Sequence, residues 1–271
     1  MPELPEVETI TRQLRKQVLG KKIVQAKTFD KRIADHSINK LVSLKIVKVW
    51  RRAKAVIINL EDTLYDHKLF LVFRLGMTGH FHYADKLEKQ APQEYLVASF
   101  SFSDGSTLSF NDIRRFGSVR LYTEGKLKKI LDSFGPEPLS KGFMVGVLRV
   151  LFQKRKKANI KVTLMDQKFI AGMGNIYAQE ALYIAGVDPR RKIESLSSSE
   201  ISKLHHSLQR LLKLAIEKKG SSVDNYSHLE GSGDFQNYLL VYQRDVCPKK
   251  HKLVKIYQGG RGTFYCPKCQ K

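Results

Sequence analysis

Apolar side chains recur every three or four positions at the start of the chain, at Val7, Ile10, Leu14 and Val18, with Pro5 suited to a first turn and Gly20 ending the run. That spacing predicts an amphipathic helix. From Lys22 to Leu60 the pattern shortens into runs rich in Val and Ile, notably Ile46 to Trp50 and Ala55 to Leu60, which predict strands. Leu69 to Phe73 is another. Tyr95 to Phe102 and Thr107 to Phe110 alternate with period two around Ser103-Asp104-Gly105-Ser106, the signature of a hairpin. Strand signals stop after Gly117. Gly125 to Phe134 predicts a short basic helix, and Phe134-Gly135-Pro136-Glu137-Pro138-Leu139 then breaks the chain into a second domain.

Beyond that linker the period becomes helical. Gly172 and Gly174 precede a helix predicted to begin near Asn175 and to end by Gly186; the amides at such a start suit a phosphate, with Asn175 able both to cap the helix and to bind the anion, or the loop is only a turn. Ser197 and Glu200 have capping-box spacing for a further helix whose stripe of Ile201, Leu204, Leu208, Leu211, Leu212 and Ala215 is closed by Gly220. His205 and His206 lie beside that stripe and read as structural. Ser221 to Gln236 is polar and contains glycine, as expected of a mobile loop.

Charge narrows the partner. The 271 residues carry 48 Lys and Arg against 26 Asp and Glu, a net charge of +22, so a polyanion is the natural ligand. No apolar run is long enough to span a bilayer, and residues 1 to 20 mix charges rather than forming a signal peptide. A soluble, cytoplasmic monomer is expected, with no membrane partner. The basic run Arg51-Arg52-Ala53-Lys54 reads as a turn at a sheet edge, and Lys154-Arg155-Lys156-Lys157 as a cationic cluster; either is equally a solvated face.

Two stretches carry candidate chemistry. Removal of Met1 would turn Pro2 into a secondary amine, and an α-amino group with a pKa of about 7.7 to 8.0 is substantially neutral near pH 7. The positive end of the first helix disfavours its protonated form, and Glu3 and Glu6 offer carboxylates to move protons. Alternatively these acids only complement the helix dipole. At the other end Cys247-x-x-x-His251 and Cys266-x-x-Cys269 bracket a hairpin turning near Gly259-Gly260-Arg261-Gly262. Three thiols and an imidazole in two close pairs suit one tetrahedral structural zinc, against a redox Cys-x-x-Cys or a turn without metal.

The opening PELPEVE, the RRAK turn, the glycine-flanked Met77, the loop Asn111-Asp112-Ile113-Arg114-Arg115-Phe116-Gly117, the linker FGPEPL and the string LMDQKxxAGMGNIY together resemble the formamidopyrimidine-DNA glycosylases over essentially the whole chain. The resemblance implies an α+β fold: an N-terminal β-sandwich with flanking helices over 1–135, a linker and first helical residues over 136–150, a helical domain with a helix-two-turn-helix over 151–236, and a β-hairpin zinc finger over 237–271. It implies a base-excision-repair enzyme that removes oxidised purines from damaged double-stranded DNA and then acts as an abasic-site lyase. Pro2 would attack the sugar, Glu3 would move protons and Lys54 would contact DNA at the active site, with Glu6 beside them. Met77, Arg114 and Phe116 would fill the gap left by the extruded nucleotide, while Lys161, Asn175 and Arg261 bind phosphates. Zinc would hold the finger only. This chain departs from the family pattern in three places: Arg74 replaces a common histidine, Asp224 stands where the base-pocket loop often has Lys or Arg, and Lys250 occupies a usual cysteine position, leaving His251 as the substitute ligand. Two rivals stay open: an endonuclease VIII-type enzyme for oxidised pyrimidines, and a noncatalytic DNA-binding protein on the same scaffold.

Overall fold

The computed structural model describes residues 1–62, 68–85, 94–223 and 227–271; Asp224 lies outside them. The chain forms two compact units, residues 1–132 with 219–233, and residues 133–218 with 234–271. Motif boundaries divide the sequence at other places, because the segment 219–233 returns to the first unit by contact rather than by pattern.

In the first unit, α1 (Leu4–Val18) holds Pro5 in its first turn and buries Val7, Ile10, Leu14 and Val18. There follow β1 (Ile23–Thr28), β2 (Lys45–Arg52), β3 (Ala55–Glu61), β4 (Lys68–Arg74), β5 (Gly79–Ala84), β6 (Leu96–Phe102), β7 (Thr107–Asp112), β8 (Ser118–Thr123) and α2 (Glu124–Asp132). Two antiparallel four-stranded sheets result, ordered β1-β6-β7-β5 and β2-β3-β4-β8. Their inner faces share one core with α1, where Phe73 of one sheet meets Phe81, Phe100 and Phe110 of the other at ring-centroid distances of 4.9, 6.1 and 5.5 Å. This is the expected β-sandwich. Helix α2 covers the outer face of the second sheet, packing Leu127 on Phe70 and Val72.

Strand β8 corrects the expectation that strands end at Gly117. It is short, six residues in which only Val119 and Leu121 mark the core face, with Arg120 between them reaching Asp35 at 3.1 Å, and its register is set by pairing Val119 with Phe73. The basic turn is also shorter than its sequence suggests. Arg51 and Arg52 belong to β2, and only Ala53, at φ +52°, and Lys54 form the turn.

The second unit contains α3 (Val145–Gln153), α4 (Ile160–Met165), α5 (Asn175–Ala185), α6 (Ser198–Glu217), and a hairpin of β9 (Val254–Gln258) and β10 (Arg261–Tyr265). Helix α4, the turns over 166–174 and α5 make the helix-two-turn-helix. Ser197 caps α6 with the reciprocal Glu200 bond of a capping box, and the helix stops at Lys218, two residues before the glycine assigned to close it. His205 is a core residue, bonded to the Phe143 carbonyl at 2.7 Å. Of the described residues, no helix is long and apolar enough to cross a membrane.

Candidate nucleic-acid and metal sites

Pro2, Glu3 and Glu6 are all buried at the start of α1. Glu6 Oε2 accepts the Glu3 amide at 2.8 Å and Oε1 accepts the Ser221 amide at 2.8 Å, so one carboxylate ties the N-terminus to the returning segment 219–233. The approach is close enough that a Cβ at Gly220, whose φ is +81°, would meet Glu6 Cγ at 2.9 Å. Two turns further along, Gln13 accepts the Leu229 amide and contacts His228 Nδ1 at 3.0 Å. Glu8 anchors the turn before β3. Burial works to raise its carboxyl, but Arg12 and Arg51 outweigh that and hold it below the ordinary carboxylate value. Arg51 is thereby committed to Glu8 and to the Ala53 carbonyl, leaving half-buried Lys54 at the turn itself.

Met77, Arg114 and Phe116 sit on two turns packed against each other at the ends of β4 and β7. Gly76, at φ +60°, lies so near the Phe116 backbone that a Cβ would be 2.5 Å from its carbonyl carbon, which only glycine relieves. Phe116 is 62 % exposed, Arg114 is exposed with its guanidinium 4.9 Å from the Phe116 ring, and Met77 is half-buried. Underneath them lies Asp112, fully buried. Its Oδ1 accepts the Thr78 hydroxyl at 2.6 Å and its Oδ2 accepts the Gly117 amide at 2.6 Å, while Thr78 Oγ1 accepts the Arg114 amide at 2.9 Å.

In the second unit Asn175 is the first residue of α5 rather than its cap. Gly174 takes the cap position, and the Asn175 side chain is spent elsewhere: Nδ2 donates to the Gly262 carbonyl at 3.1 Å and Oδ1 accepts Lys161 Nζ at 2.7 Å. Lys161 is fully buried, so its charge acts from beneath the helix start. Gln167 laces the preceding turns, bonding the Met165 and Met173 carbonyls and the Gly172 amide. Gln179 donates to Gly262 and accepts the Phe264 amide at 2.6 Å, fixing β10 against α5. Arg261 is exposed at the first position of β10. Glu180 accepts three successive amides, from Leu240, Val241 and Tyr242, at 2.8 to 3.0 Å; burial raises its carboxyl above the ordinary value in spite of them.

Cys247, His251, Cys266 and Cys269 bring their ligand-type atoms within 4.8 Å of one another, a set that could hold a metal ion. His251 Nδ1 is 3.2 Å from Cys269 Sγ and 3.7 Å from Cys266 Sγ, and the Cys247 and Cys269 sulfurs are 4.0 Å apart. Tetrahedral zinc with bonds of about 2.0 to 2.3 Å has edges of about 3.3 to 3.8 Å, so the four donors fit a metal of that size. The extra residue in the first pair is accommodated by Lys250 at φ +60°, which lets the longer histidine reach the place of a thiol. Burial opposes ionisation of Cys247, but the His251 amide, the Tyr183 hydroxyl and the Lys249 amide aim at its sulfur and bring it down to about 7.

Sequence motifs thus located the start of α1, the two packed turns of Met77 and of Arg114 and Phe116, and the four clustered Cys and His side chains. Asp112, Gln167, Gln179 and Glu180 were missed, although Asp112 and Gln167 lie inside quoted motifs; a polar residue inside a glycine-rich loop was the available signal.

The model of the formamidopyrimidine-DNA glycosylase N-terminal domain matches residues 1–119, and that of the formamidopyrimidine-DNA glycosylase H2TH domain matches residues 134–227. A formamidopyrimidine-DNA glycosylase of Geobacillus kaustophilus is 38% identical over 100% of both chains, and one of Ligilactobacillus salivarius is 36% identical over 100% of this chain and 99% of the other. Among solved structures, Lactococcus lactis Fpg in complex with DNA containing an abasic site superposes with a TM-score of 0.88 at 32% identity, covering 99% of each chain. MutM in complex with DNA containing carbocyclic 8-oxo-G gives the same TM-score and identity over 100% of each.

Proposed function

The chain belongs to the formamidopyrimidine-DNA glycosylase family, and from that membership we propose that it excises oxidised purines, 8-oxoguanine and formamidopyrimidines, from duplex DNA and then cuts the strand as an abasic-site lyase. The observation that carries this reading to chemistry is the buried start of α1, where Pro2 is followed by Glu3 and the Glu6 carboxylate binds the Glu3 amide. Once Met1 is removed, the Pro2 nitrogen attacks C1' of the extruded nucleotide as the bond to the damaged base breaks. The base leaves with a proton, and the sugar ring opens to an iminium joined to Pro2. Glu3 moves protons in ring opening and in the β- and δ-eliminations that release the flanking phosphates. Glu6 positions the Glu3 backbone.

Lys54 contacts DNA at this centre, and Met77, Arg114 and Phe116 fill the vacated stack, recovering part of the few kcal/mol that base extrusion costs. Asn175 and Arg261 bind backbone phosphates, with Lys161 supplying charge through Asn175. Cys247, His251, Cys266 and Cys269 would hold one structural zinc that keeps the hairpin folded, and the proposed chemistry uses the Pro2 nitrogen and the Glu3 carboxyl of this chain. The enzyme works as a cytoplasmic monomer at the nucleoid. Its domains follow the motif boundaries: a catalytic sandwich over 1–135, a linker over 136–150, the helix-two-turn-helix over 151–236 and the finger over 237–271.

Excision assays on duplexes carrying either 8-oxoguanine or an oxidised pyrimidine test the substrate class. Faster release of 8-oxoguanine is expected. Faster release of the pyrimidine would move the chain to endonuclease VIII-type chemistry, and release of neither by protein beginning at Pro2 would leave a noncatalytic DNA-binding protein. Metal analysis tests the finger: wild type is expected to hold one zinc, and unchanged stoichiometry in His251→Ala would remove that residue from the ligand set.

A further inference from the structure

We propose that Asp112, acting through Thr78, is the positioning residue that locks the two wedge turns into one rigid insert, and that this lock is needed only when a base must be taken out of a stacked duplex. The inference rests on the glycosylase reading above. Three wedge residues on two separate turns can enter a duplex together only if the turns keep a fixed spacing. Backbone pairing brackets the two turns, Gly79 with Asp112 on one side and Arg74 with Ser118 on the other, but Met77, Arg114 and Phe116 lie between those ends, where strand pairing does not reach.

The polar links cross the gap in a directed chain. The Arg114 amide donates to Thr78 Oγ1, the Thr78 hydroxyl donates to Asp112 Oδ1, and the Gly117 amide donates to Asp112 Oδ2. A carboxylate suits this place because both of its partners there are donors. It is fully buried, so water does not compete for those bonds, and bonds to a charged acceptor are the stronger kind. The turn of Met77 is thus tied to the backbone on either side of Phe116, and the glycines at 76 and 117 let the two strands of backbone touch. Arg115, between the wedge residues, is turned away at φ +56° and donates to the carbonyls of Tyr95 and Leu96, which leaves Arg114 and Phe116 on the exposed side.

Neither Thr78 nor Asp112 is given a contact with substrate. Their effect should therefore depend on whether stacking has to be broken. The test compares wild type, Asp112→Ala, Asp112→Asn and Thr78→Val on two DNAs: a fully paired duplex with 8-oxoguanine opposite cytosine, and the same strand with an abasic site inside an unpaired bubble. Thr78→Val keeps the side-chain shape and guards against misfolding of Asp112→Ala. The expected result is at least a tenfold loss of kcat/KM on the paired duplex for Thr78→Val and Asp112→Ala, a smaller loss for Asp112→Asn, and bubble cleavage within twofold of wild type. Equal losses on both DNAs would mark the pair as merely structural and overturn the proposal, as would no loss on either. Inactivity of wild type itself on both DNAs would instead overturn the glycosylase reading.

Discussion

Two helix starts, those of α1 and α5, carry the same partial positive charge yet are finished in opposite ways. Helix α1 is capped by Glu3 and has Glu6 in its first turn, and the Glu6 carboxylate accepts the amides of Glu3 and Ser221. Helix α5 begins after Gly174, has no acid in its first turn, and instead holds a buried lysine against Asn175. One start therefore supplies its own anions. The other supplies none, and its positive environment is suited to a phosphate brought by DNA. A helix dipole sets a preference for negative charge, and the residues at the cap decide whether the protein or the ligand provides it.

The sharpest way to probe the first start is Glu3→Gln, which removes the proposed proton-transfer group while retaining shape. Strand cleavage is expected to fall by about 10²- to 10⁴-fold with little change in DNA affinity measured by titration; equal loss of affinity would make Glu3 a binding residue. The second start can be broken by making it resemble the first. Gly174→Asp supplies a capping carboxylate, so the fold is expected to hold or gain a few tenths of a kcal/mol, while DNA affinity drops by about tenfold or more through repulsion of phosphate. Undiminished affinity at low salt would dissociate α5 from phosphate binding.

A third start calibrates the comparison. Helix α6 has a complete Ser197 and Glu200 capping box and no proposed ligand, so Ser197→Ala is expected to cost about 1 kcal/mol in urea unfolding and leave excision of 8-oxoguanine unchanged. The smallest effect is a pH dependence at the same box. The Arg191 guanidinium holds the Glu200 carboxyl at about 2, below its ordinary range. A depressed carboxyl contributes fully above its unfolded value, near pH 4.3, and the contribution is lost as pH falls toward 2. Unfolding midpoints at pH 5 and pH 3 should therefore converge slightly in Arg191→Met relative to wild type; an identical pH slope would contradict the assignment.

Local pattern made much of this legible. The 3.6-residue stripes of α1 and α6, the period-two strands around Asp104-Gly105 and the paired metal donors are each written within a few dozen residues. What stayed hidden depends on distance in sequence. Glu6 meets the Ser221 amide across 215 residues, and Glu180 meets the Leu240 amide across 60, so no periodicity announces either bond. Asn175 has the residue type of a cap, but its side chain is bonded to Lys161 and Gly262 and glycine takes the cap position. Strand β8 is obscured by its brevity: only Val119 and Leu121 mark its core face, and pairing with the distant β4 supplies the rest.

The central claim is that the Pro2 nitrogen becomes bonded to a sugar carbon. The direct test is borohydride reduction of the enzyme, shown by mass to begin at Pro2, on duplex DNA containing 8-oxoguanine, followed by mapping of the cross-linked peptide. The account requires a covalent adduct whose attachment point is Pro2 and which Pro2→Gly forms poorly. No adduct, or an adduct mapped to a lysine such as Lys54, would contradict it.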